Sequence, residues 1–333
     1  YRSVIAKGRY DWLGLLIGCT GITLVTYGLQ NASVSWTAAP TWGSLTAGVV
    51  LLAAFGFVET KSASPLVDFG LWKERLFCGG FFAQGAVGFV DIPFLTFIGS
   101  LYFIEVLGYS PTKASWVIVI TAGIGKTFGQ PLAGMWIDKV GPGIPMTAGL
   151  VMQAVALTWV GLFFGPDTTL AAMVIPLAFM GIGVAVALPA CNTAGMSAVD
   201  AERAGMGSGL VQMSFNIPAA LGVALATSVV GTFTATKITA GLGGHAELDE
   251  PATSYARAVQ DGKLAEASAI LARLPSDSAE AIKRAAVSAS STAITTSMLL
   301  LAVMALAGAT FAWVVIGRRR TPDHIEMTHA AQL

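Results

Sequence analysis

Eight stretches of the chain are apolar for long enough to cross a lipid bilayer, and this feature limits the possible folds more than any other. A helix needs about 20 residues, at 1.5 Å each, to cross roughly 30 Å of hydrocarbon. With 54% hydrophobic and 11% charged residues, the composition excludes a water-soluble globular domain. The sequence therefore predicts an all-α integral membrane protein with transmembrane helices at 12–30, 41–58, 77–104, 114–136, 144–165, 169–191, 206–232 and 292–316.

The basic residues predict how these helices are oriented, because cytoplasmic loops carry an excess of lysine and arginine. An even number of spans puts both termini on one side, and among the short loops of the other side only Lys113 is basic. Both termini are therefore expected in the cytoplasm, with the protein in the plasma membrane or the bacterial inner membrane. The basic residues on the side of the termini are Arg2, Lys7, Arg9, Lys61, Lys73, Arg75, Lys139, Arg203, Arg318, Arg319 and Arg320.

The spacing of the spans divides the chain into four parts. Residues 1–60 hold two helices that we expect at the periphery, and residues 61–76 form a charged, amphipathic linker on the cytoplasmic side. Residues 77–317 hold six spans in one bundle, interrupted by the long external segment 233–291, and residues 318–333 form a cytoplasmic tail. One surface helix is expected in the external segment, because apolar residues recur there at helical spacing: Leu264, Ala267, Ile270, Leu271 and Leu274.

The sequence GIGKT at 123–127 is similar to the end of a phosphate-binding loop but does not complete one. That loop begins with a glycine five residues before its second glycine, and it lies between a strand and a helix. Here the first glycine is replaced by Ile120, and the flanking residues form one continuous apolar helix. A nucleotide site is therefore not predicted, and Lys126 needs another explanation.

Lys126 is predicted close to the middle of the membrane, about 18 Å from the outer end of its span. A charge at that depth is costly unless it is paired or faces water. Asp91, on the preceding span, is the other ionisable residue deep in the membrane, and a long lysine side chain can reach it. We expect the two to interact, either as a static salt bridge that fixes helix packing or as a site that exchanges protons or binds substrate.

Four amides extend this polar region. Gln84 shares a helix face with Asp91, Gln130 lies one turn from Lys126, and Gln212 and Asn216 share a face of the seventh span. They either form hydrogen bonds between helices or line a cavity.

Three stretches resemble the major facilitator superfamily, in particular its fourteen-helix drug:proton antiporters. GMWIDKVG at 134–141 is similar to the cytoplasmic signature Gly-x-x-x-Asp-Arg/Lys-x-Gly, with Gly134, Asp138, Lys139 and Gly141 in the matching positions. PACNTAGMSAVDAERAGMGSGL at 189–210 and VETKSASPLVDFGLWKERLF at 58–77 resemble two of the family's connections between helices. FNIPAALG and Glu105 depart from the family pattern.

The resemblance covers helices seven to fourteen, so it implies a missing amino-terminal bundle of six helices. The chain also begins at Tyr1, and we expect a further part upstream. The implied function is a secondary transporter that exports amphipathic organic compounds or drugs by alternating access, in exchange for protons. Asp91 and Lys126 would then line the cavity, and the Gly134–Gly141 motif would close the cytoplasmic side.

Other functions have less support in the sequence. An enzyme is not predicted, because the spans contain no histidine and no paired carboxylates, and no spacing of cysteines or of His245, His324 and His329 indicates a metal site. The zero net charge argues against a nucleic-acid partner. The expected partners are the lipid bilayer, a small-molecule substrate and the missing bundle, with a proton gradient in place of a cofactor. The alternative is a half-size membrane protein that does not transport.

Overall fold

The computed structural model describes residues 12–32, 38–60, 69–165, 168–200, 203–241, 249–260 and 264–317. Within these ranges the chain is built from α-helices joined by short turns, as the apolar segments predicted. The helices are α1 Trp12–Ala32, α2 Ala39–Glu59, α3 Arg75–Pro93 with an extension to Val106, α4 Pro111–Val140, α5 Gly143–Phe163, α6 Leu170–Ser197, α7 Ala204–Gly241, α8 Asp249–Gln260, α9 Leu264–Ala272 and α10 Ser276–Val315.

Six membrane spans are supported by length and composition among the described residues. They are Ala39–Glu59, Arg75–Ile104, Gly143–Phe163, Leu170–Ser197, Ala204–Thr227 and Ser276–Val315. The two other predicted spans are helical as well: the apolar part of α1, Gly14–Gly28, is shorter, and α4 has Lys126 and Gln130 in its middle. The fold is thus an all-helical membrane protein, while the count of eight spans stays a prediction.

The helix α3 lies at the centre of the bundle and contacts α6, α7 and α10. Around it, α4 packs on α6, and α5 packs on both α6 and α10. The bundle interior is filled by fully buried apolar side chains from several helices, among them Ile98, Leu157, Met173 and Ile294. The hairpin of α1 and α2 contacts the bundle where α1 meets α7, and its peripheral place stays a prediction.

The end of α3 departs from a regular α-helix. Proline has no amide hydrogen to donate to the carbonyl four residues earlier, so Pro93 interrupts the hydrogen-bond pattern. The helix continues as two π turns, Phe94–Ile98 and Tyr102–Val106, separated by Gly99–Leu101. The helix is therefore wider than a regular α-helix at these two π turns.

The connection predicted to be external, residues 233–291, contains fewer residues outside the two long helices than expected, because both flanking helices extend into it. The α7 helix continues to Gly241 and α10 begins at Ser276, so much of 233–291 belongs to the two long helices. Between them, α9 confirms the surface helix predicted at 264–274. Leu271, at the end of α9, and Leu274, just after it, pack against the apolar cluster that contains the buried Ile282 near the start of α10. This apolar contact explains why α10 remains helical outside the apolar span.

The linker after α2 is described only from Phe69. Residues Phe69–Lys73 form a short 3₁₀ turn, in which Leu71 is buried in a cluster with Phe77 and Val211. This turn is therefore packed on the bundle. Positions 61–68, the tail 318–333 and the histidines His245, His324 and His329 lie outside the described residues.

Candidate functional site

Glycines on α4 fix the position of Lys126. Gly125 and Gly129 lie one turn apart on the side that faces α6, and a β-carbon at Gly129 would lie 2.7 Å from the β-carbon of Ala185. A β-carbon at Gly125 would meet the backbone of α6 at Ile182. The two backbones therefore approach closely, as small residues allow in membrane helices. Lys126 follows Gly125 directly, so this contact determines where its side chain leaves the helix.

Lys126 and Asp91 form an ion pair between α4 and α3. The Lys126 Nζ donates a hydrogen bond to Asp91 Oδ2 over 3.3 Å. The Asp91 side chain is 5% exposed, whereas that of Lys126 is 33% exposed. The interaction predicted from the depth of the two residues is confirmed. The aspartate side chain is enclosed by protein, whereas the lysine side chain is partly exposed at the surface of the bundle.

The chemistry of this pair follows from its surroundings. Each charge offsets the other's cost of burial, which for a single charge at the middle of a membrane is about 2.5–3.5 kcal/mol on insertion scales. If Lys126 moves away, the carboxylate needs a proton or another cation in its place. The pair can therefore act as a structural tie or as an exchange site, and its geometry is compatible with both.

Gln84 lies two helical turns before Asp91, but it contacts α7, whereas Asp91 contacts α4. It is buried, and its Nε2 donates a hydrogen bond to the carbonyl oxygen of Val211 on α7 over 3.0 Å. Gln84 thus joins α3 to α7. A role in lining a cavity stays a prediction for this residue.

The three other predicted amides are exposed on the surface of the bundle. Gln130 lies on α4, and Gln212 and Asn216 lie one turn apart on α7. None of the three side chains has a hydrogen-bond partner within the described ranges. Amide groups at membrane depth need water or another protein surface, because hydrocarbon offers them no hydrogen bonds. The exposed surfaces of α4 and α7 that carry these amides therefore differ from surfaces that are covered by lipid.

The Gly134–Gly141 motif at the end of α4 is exposed at Gly134, Asp138 and Lys139, whereas Gly141 is buried. Asp138 and Lys139 are accessible, and Gly141 ends the helix with a φ of 80° while its amide donates to the Ile137 carbonyl oxygen over 2.8 Å. A glycine suits this backbone conformation, since other residues rarely adopt it. No described atom lies within 4 Å of a β-carbon at Gly134. Gly134 therefore makes no close contact with another helix among the described residues.

Sequence reasoning missed one contact that holds the end of α3. Tyr102 is 1% exposed, and its hydroxyl donates to the carbonyl oxygen of Gly165 over 2.9 Å. This bond ties the second π turn to the connection between α5 and α6. A tyrosine in an apolar span signals such a bond, because a buried hydroxyl needs a partner.

Comparison with known protein families gives this geometry its context. The model of the Major Facilitator Superfamily matches residues 76–244, just over half of the chain. The chain belongs to the major facilitator superfamily. The matched region contains α3 to α7, and thus both members of the ion pair, all four amides and the Gly134–Gly141 motif.

Several relatives in the superfamily have names that describe resistance or efflux. The multidrug resistance protein Stp of Mycobacterium tuberculosis is 27% identical over 233 residues, which are 68% of this chain and 41% of that protein. The multidrug efflux pump LfrA of Mycolicibacterium smegmatis is 26% identical over 322 residues, 91% of this chain and 59% of its own length. The tetracenomycin C resistance and export protein of Streptomyces glaucescens is 25% identical over 243 residues, 71% of this chain and 43% of its own length.

The chain spans about half the length of the curated relatives that it matches. This partial coverage fits the resemblance to the carboxy-terminal helices of the longer antiporters. Its relatives are superfamily transporters, which agrees with the expectation that the chain is not an enzyme. Family and composition together identify a multi-pass protein of the cell membrane.

Proposed function

We propose that this chain is the carboxy-terminal part of a secondary transporter that exports amphipathic organic compounds. The observation that carries the proposal is the ion pair of Asp91 and Lys126 inside the spans of a major facilitator bundle. A charged group at this depth is costly and is normally retained for function. The names of the relatives, which mention multidrug resistance, efflux and antibiotic export, support the class of substrate.

Proton coupling is assigned to Asp91. Its carboxylate is enclosed, and its described partner is an ammonium group that is itself partly exposed. Protonation of Asp91 would release Lys126, and loss of the proton would restore the pair. One titrating carboxylate with a mobile counter-ion is the simplest arrangement that links proton movement to a change in the cavity.

The exposed polar face is assigned to the cavity between two bundles. Gln130 and Lys126 on α4, together with Gln212 and Asn216 on α7, would face water and substrate rather than lipid. The partner surface would be an amino-terminal bundle of six helices that is not part of this chain. Rocking of the two bundles would expose the cavity to each side in turn, with the Gly134–Gly141 motif closing the cytoplasmic side, where both termini of this chain would lie.

Uptake of a fluorescent cationic dye into everted membrane vesicles tests this proposal. The chain joined to its upstream coding sequence is compared with the chain alone, before and after the pH gradient is collapsed. Accumulation that depends on the gradient and requires the longer protein is expected. Absence of accumulation in both, with the proteins present in the membrane, would contradict the proposed function.

The role of Asp91 is tested by Asp91→Asn in the longer protein. We expect loss of gradient-driven accumulation with normal amounts of folded protein in the membrane. Glu280→Gln is the matched control, because Glu280 also pairs with a basic side chain but is exposed near the start of α10, before the span predicted at 292–316. Unchanged transport by Asp91→Asn would refute the assignment of proton coupling to this carboxylate while leaving the transporter proposal intact.

A further inference from the structure

The contact between α3 and α7 contains one proline inside each helix. Pro218 has no amide hydrogen, so the carbonyl of Ser214 lacks the donor that a helix normally supplies four residues later. Pro93 has the same effect on the carbonyl of Phe89 in α3. Each helix therefore has a backbone acceptor that its own hydrogen-bond pattern does not satisfy.

A glycine of the opposite helix lies against each of these positions. The Ser214 carbonyl oxygen lies 3.1 Å from the position of a β-carbon at Gly85, and the ring of Pro218 is 3.3 Å from it. In the reciprocal contact, the ring of Pro93 lies 2.7 Å from a β-carbon at Gly222. The acceptor carbonyl of Ser214 is thus directed at α3, next to Gln84.

Gln84 brings a second unsatisfied acceptor to the same place. Its side chain is 1% exposed, and its Nε2 is used in the hydrogen bond to the Val211 carbonyl. The hydroxyl of Ser214 also donates to Val211, over 2.6 Å. The Oε1 of Gln84 has no hydrogen-bond partner among the described residues. Buried acceptors of this kind are rare in proteins, because leaving one without a donor is costly.

We propose that a single water molecule binds between α3 and α7, donating one hydrogen to Gln84 Oε1 and the other to the Ser214 carbonyl. Water supplies two donors, and the described hydrogen bonds of Gln84 Nε2 and of the Ser214 hydroxyl both go to the Val211 carbonyl. A divalent cation is a poorer occupant, because it takes six or more oxygen ligands, whereas the acceptors of the proposed site are the Gln84 Oε1 and the Ser214 carbonyl. Waters that satisfy the groups freed by a proline are an established feature of membrane helices.

This water would fix the proline-containing helix α7 to the central helix. The α7 helix carries Gln212 and Asn216 on its exposed face, and Gln84 lies two turns from Asp91 on α3. The bound water would therefore keep the distance between the exposed amides of α7 and the ion pair constant. The inference goes beyond the proposed function and does not depend on it, since it concerns packing within one bundle.

Solid-state NMR tests the site directly. The protein, with ¹⁵N-labelled glutamine side chains, is placed in lipid bilayers, and the rate of polarisation transfer from water to each side-chain amide is measured. The Gln84 side-chain amide is assigned by its absence in a variant. We expect it to receive polarisation as rapidly as the exposed Gln130, although Gln84 is buried. Transfer as slow as that to the backbone amide of the fully buried Leu150 would overturn the proposal.

A double-mutant cycle tests whether the two acceptors share one water. Gln84→Met removes the side-chain acceptor and blocks the water, and Pro218→Ala gives Ser214 its own helix donor. We expect Gln84→Met to lower the melting temperature, and we expect that loss to shrink by at least half when Pro218→Ala is present. Equal losses in both backgrounds would contradict a shared water.

Gln153→Met is the matched control for the cycle. Gln153 is also fully buried, its Oε1 also has no described partner, and its Nε2 donates within its own helix to Gly149 over 3.4 Å. Because Gln153 lies on α5, Gln153→Met should lower the melting temperature by the same amount with and without Pro218→Ala. The NMR measurement on the unaltered protein decides the question even where a variant does not fold.

Discussion

Two ion pairs in this protein have similar geometry and different surroundings. Lys126 and Asp91 lie 3.3 Å apart on two different helices, with side-chain exposures of 33% and 5%. Arg284 and Glu280 lie 3.7 Å apart, one turn from each other on α10, with exposures of 79% and 75%. The first pair joins two helices, α3 and α4, and the second lies near the start of a single helix, α10.

The difference shows that distance alone does not measure the importance of a salt bridge. In the exposed pair, water screens both charges and remains available to each when the pair opens. In the enclosed pair, neither water nor lipid replaces a lost partner equally well, so each residue depends on the other. We therefore assign the proposed function to the enclosed pair, whose charges cost more to bury, and the following variants test the difference between the two pairs.

The largest effect is expected when Lys126 alone is replaced. Lys126→Met leaves the enclosed Asp91 carboxylate without its partner, and breaking a buried pair in this way costs about 3–5 kcal/mol of stability. Thermal unfolding of the purified protein in detergent measures the loss. A melting temperature equal to that of the unaltered protein would show that Asp91 finds another partner or water.

The next largest effect is expected at the glycine that positions Lys126. In Gly125→Ala, the new methyl group collides with the backbone of α6 at Ile182, and overpacking of this kind costs about 1–3 kcal/mol. Gly134→Ala is the matched control on the same helix, since no described atom lies near its β-carbon. Comparable unfolding temperatures for the two variants would contradict a close α4–α6 contact.

Replacing both members of the enclosed pair is expected to change stability little. Asp91→Leu combined with Lys126→Met removes both charges, and apolar replacements of buried pairs are usually neutral or stabilising, here within about 1 kcal/mol of the unaltered protein. In the longer protein, the same double variant should not transport, because the proposed exchange site would be gone. A double variant as unstable as Lys126→Met alone would show that the single loss does not arise from an unpaired charge.

The smallest effect is expected at the exposed pair. Glu280→Gln should lower stability by about 0.3–0.5 kcal/mol, the value of a pair one turn apart on a helix surface. Unfolding at low and high salt concentration measures it, and high salt should abolish the difference. A loss as large as that of Lys126→Met would remove the distinction between the two pairs.

Much of the fold could be predicted because membrane spans obey a simple rule. Hydrocarbon offers no hydrogen bonds, so an apolar stretch of sufficient length becomes a helix regardless of its neighbours. The helix ends were less predictable: α10 extends from the predicted span at 292–316 back to Ser276, since Ile282 finds an apolar contact outside the span. Such a contact depends on another helix and has no local signal.

The candidate site was predictable in part for the same reason. Depth along two helices was enough to expect that Lys126 reaches Asp91, because few partners exist for a charge in a membrane. The four amides could not be told apart in this way. Gln84 is buried between α3 and α7, while Gln130, Gln212 and Asn216 are exposed, and helical spacing gives the face of a residue but not the neighbour of that face.

The sequence by itself determined that this chain is a helical membrane protein with two opposite charges deep in neighbouring apolar segments, within reach of a long lysine side chain. Both properties follow from the order of apolar and charged residues along the chain. Only the tertiary structure decided that the charges meet at 3.3 Å, that Asp91 is enclosed while Lys126 is partly exposed, and that two proline-containing helices meet through glycines. The physical reason is that close packing depends on which backbones approach each other, and that is decided by the whole bundle.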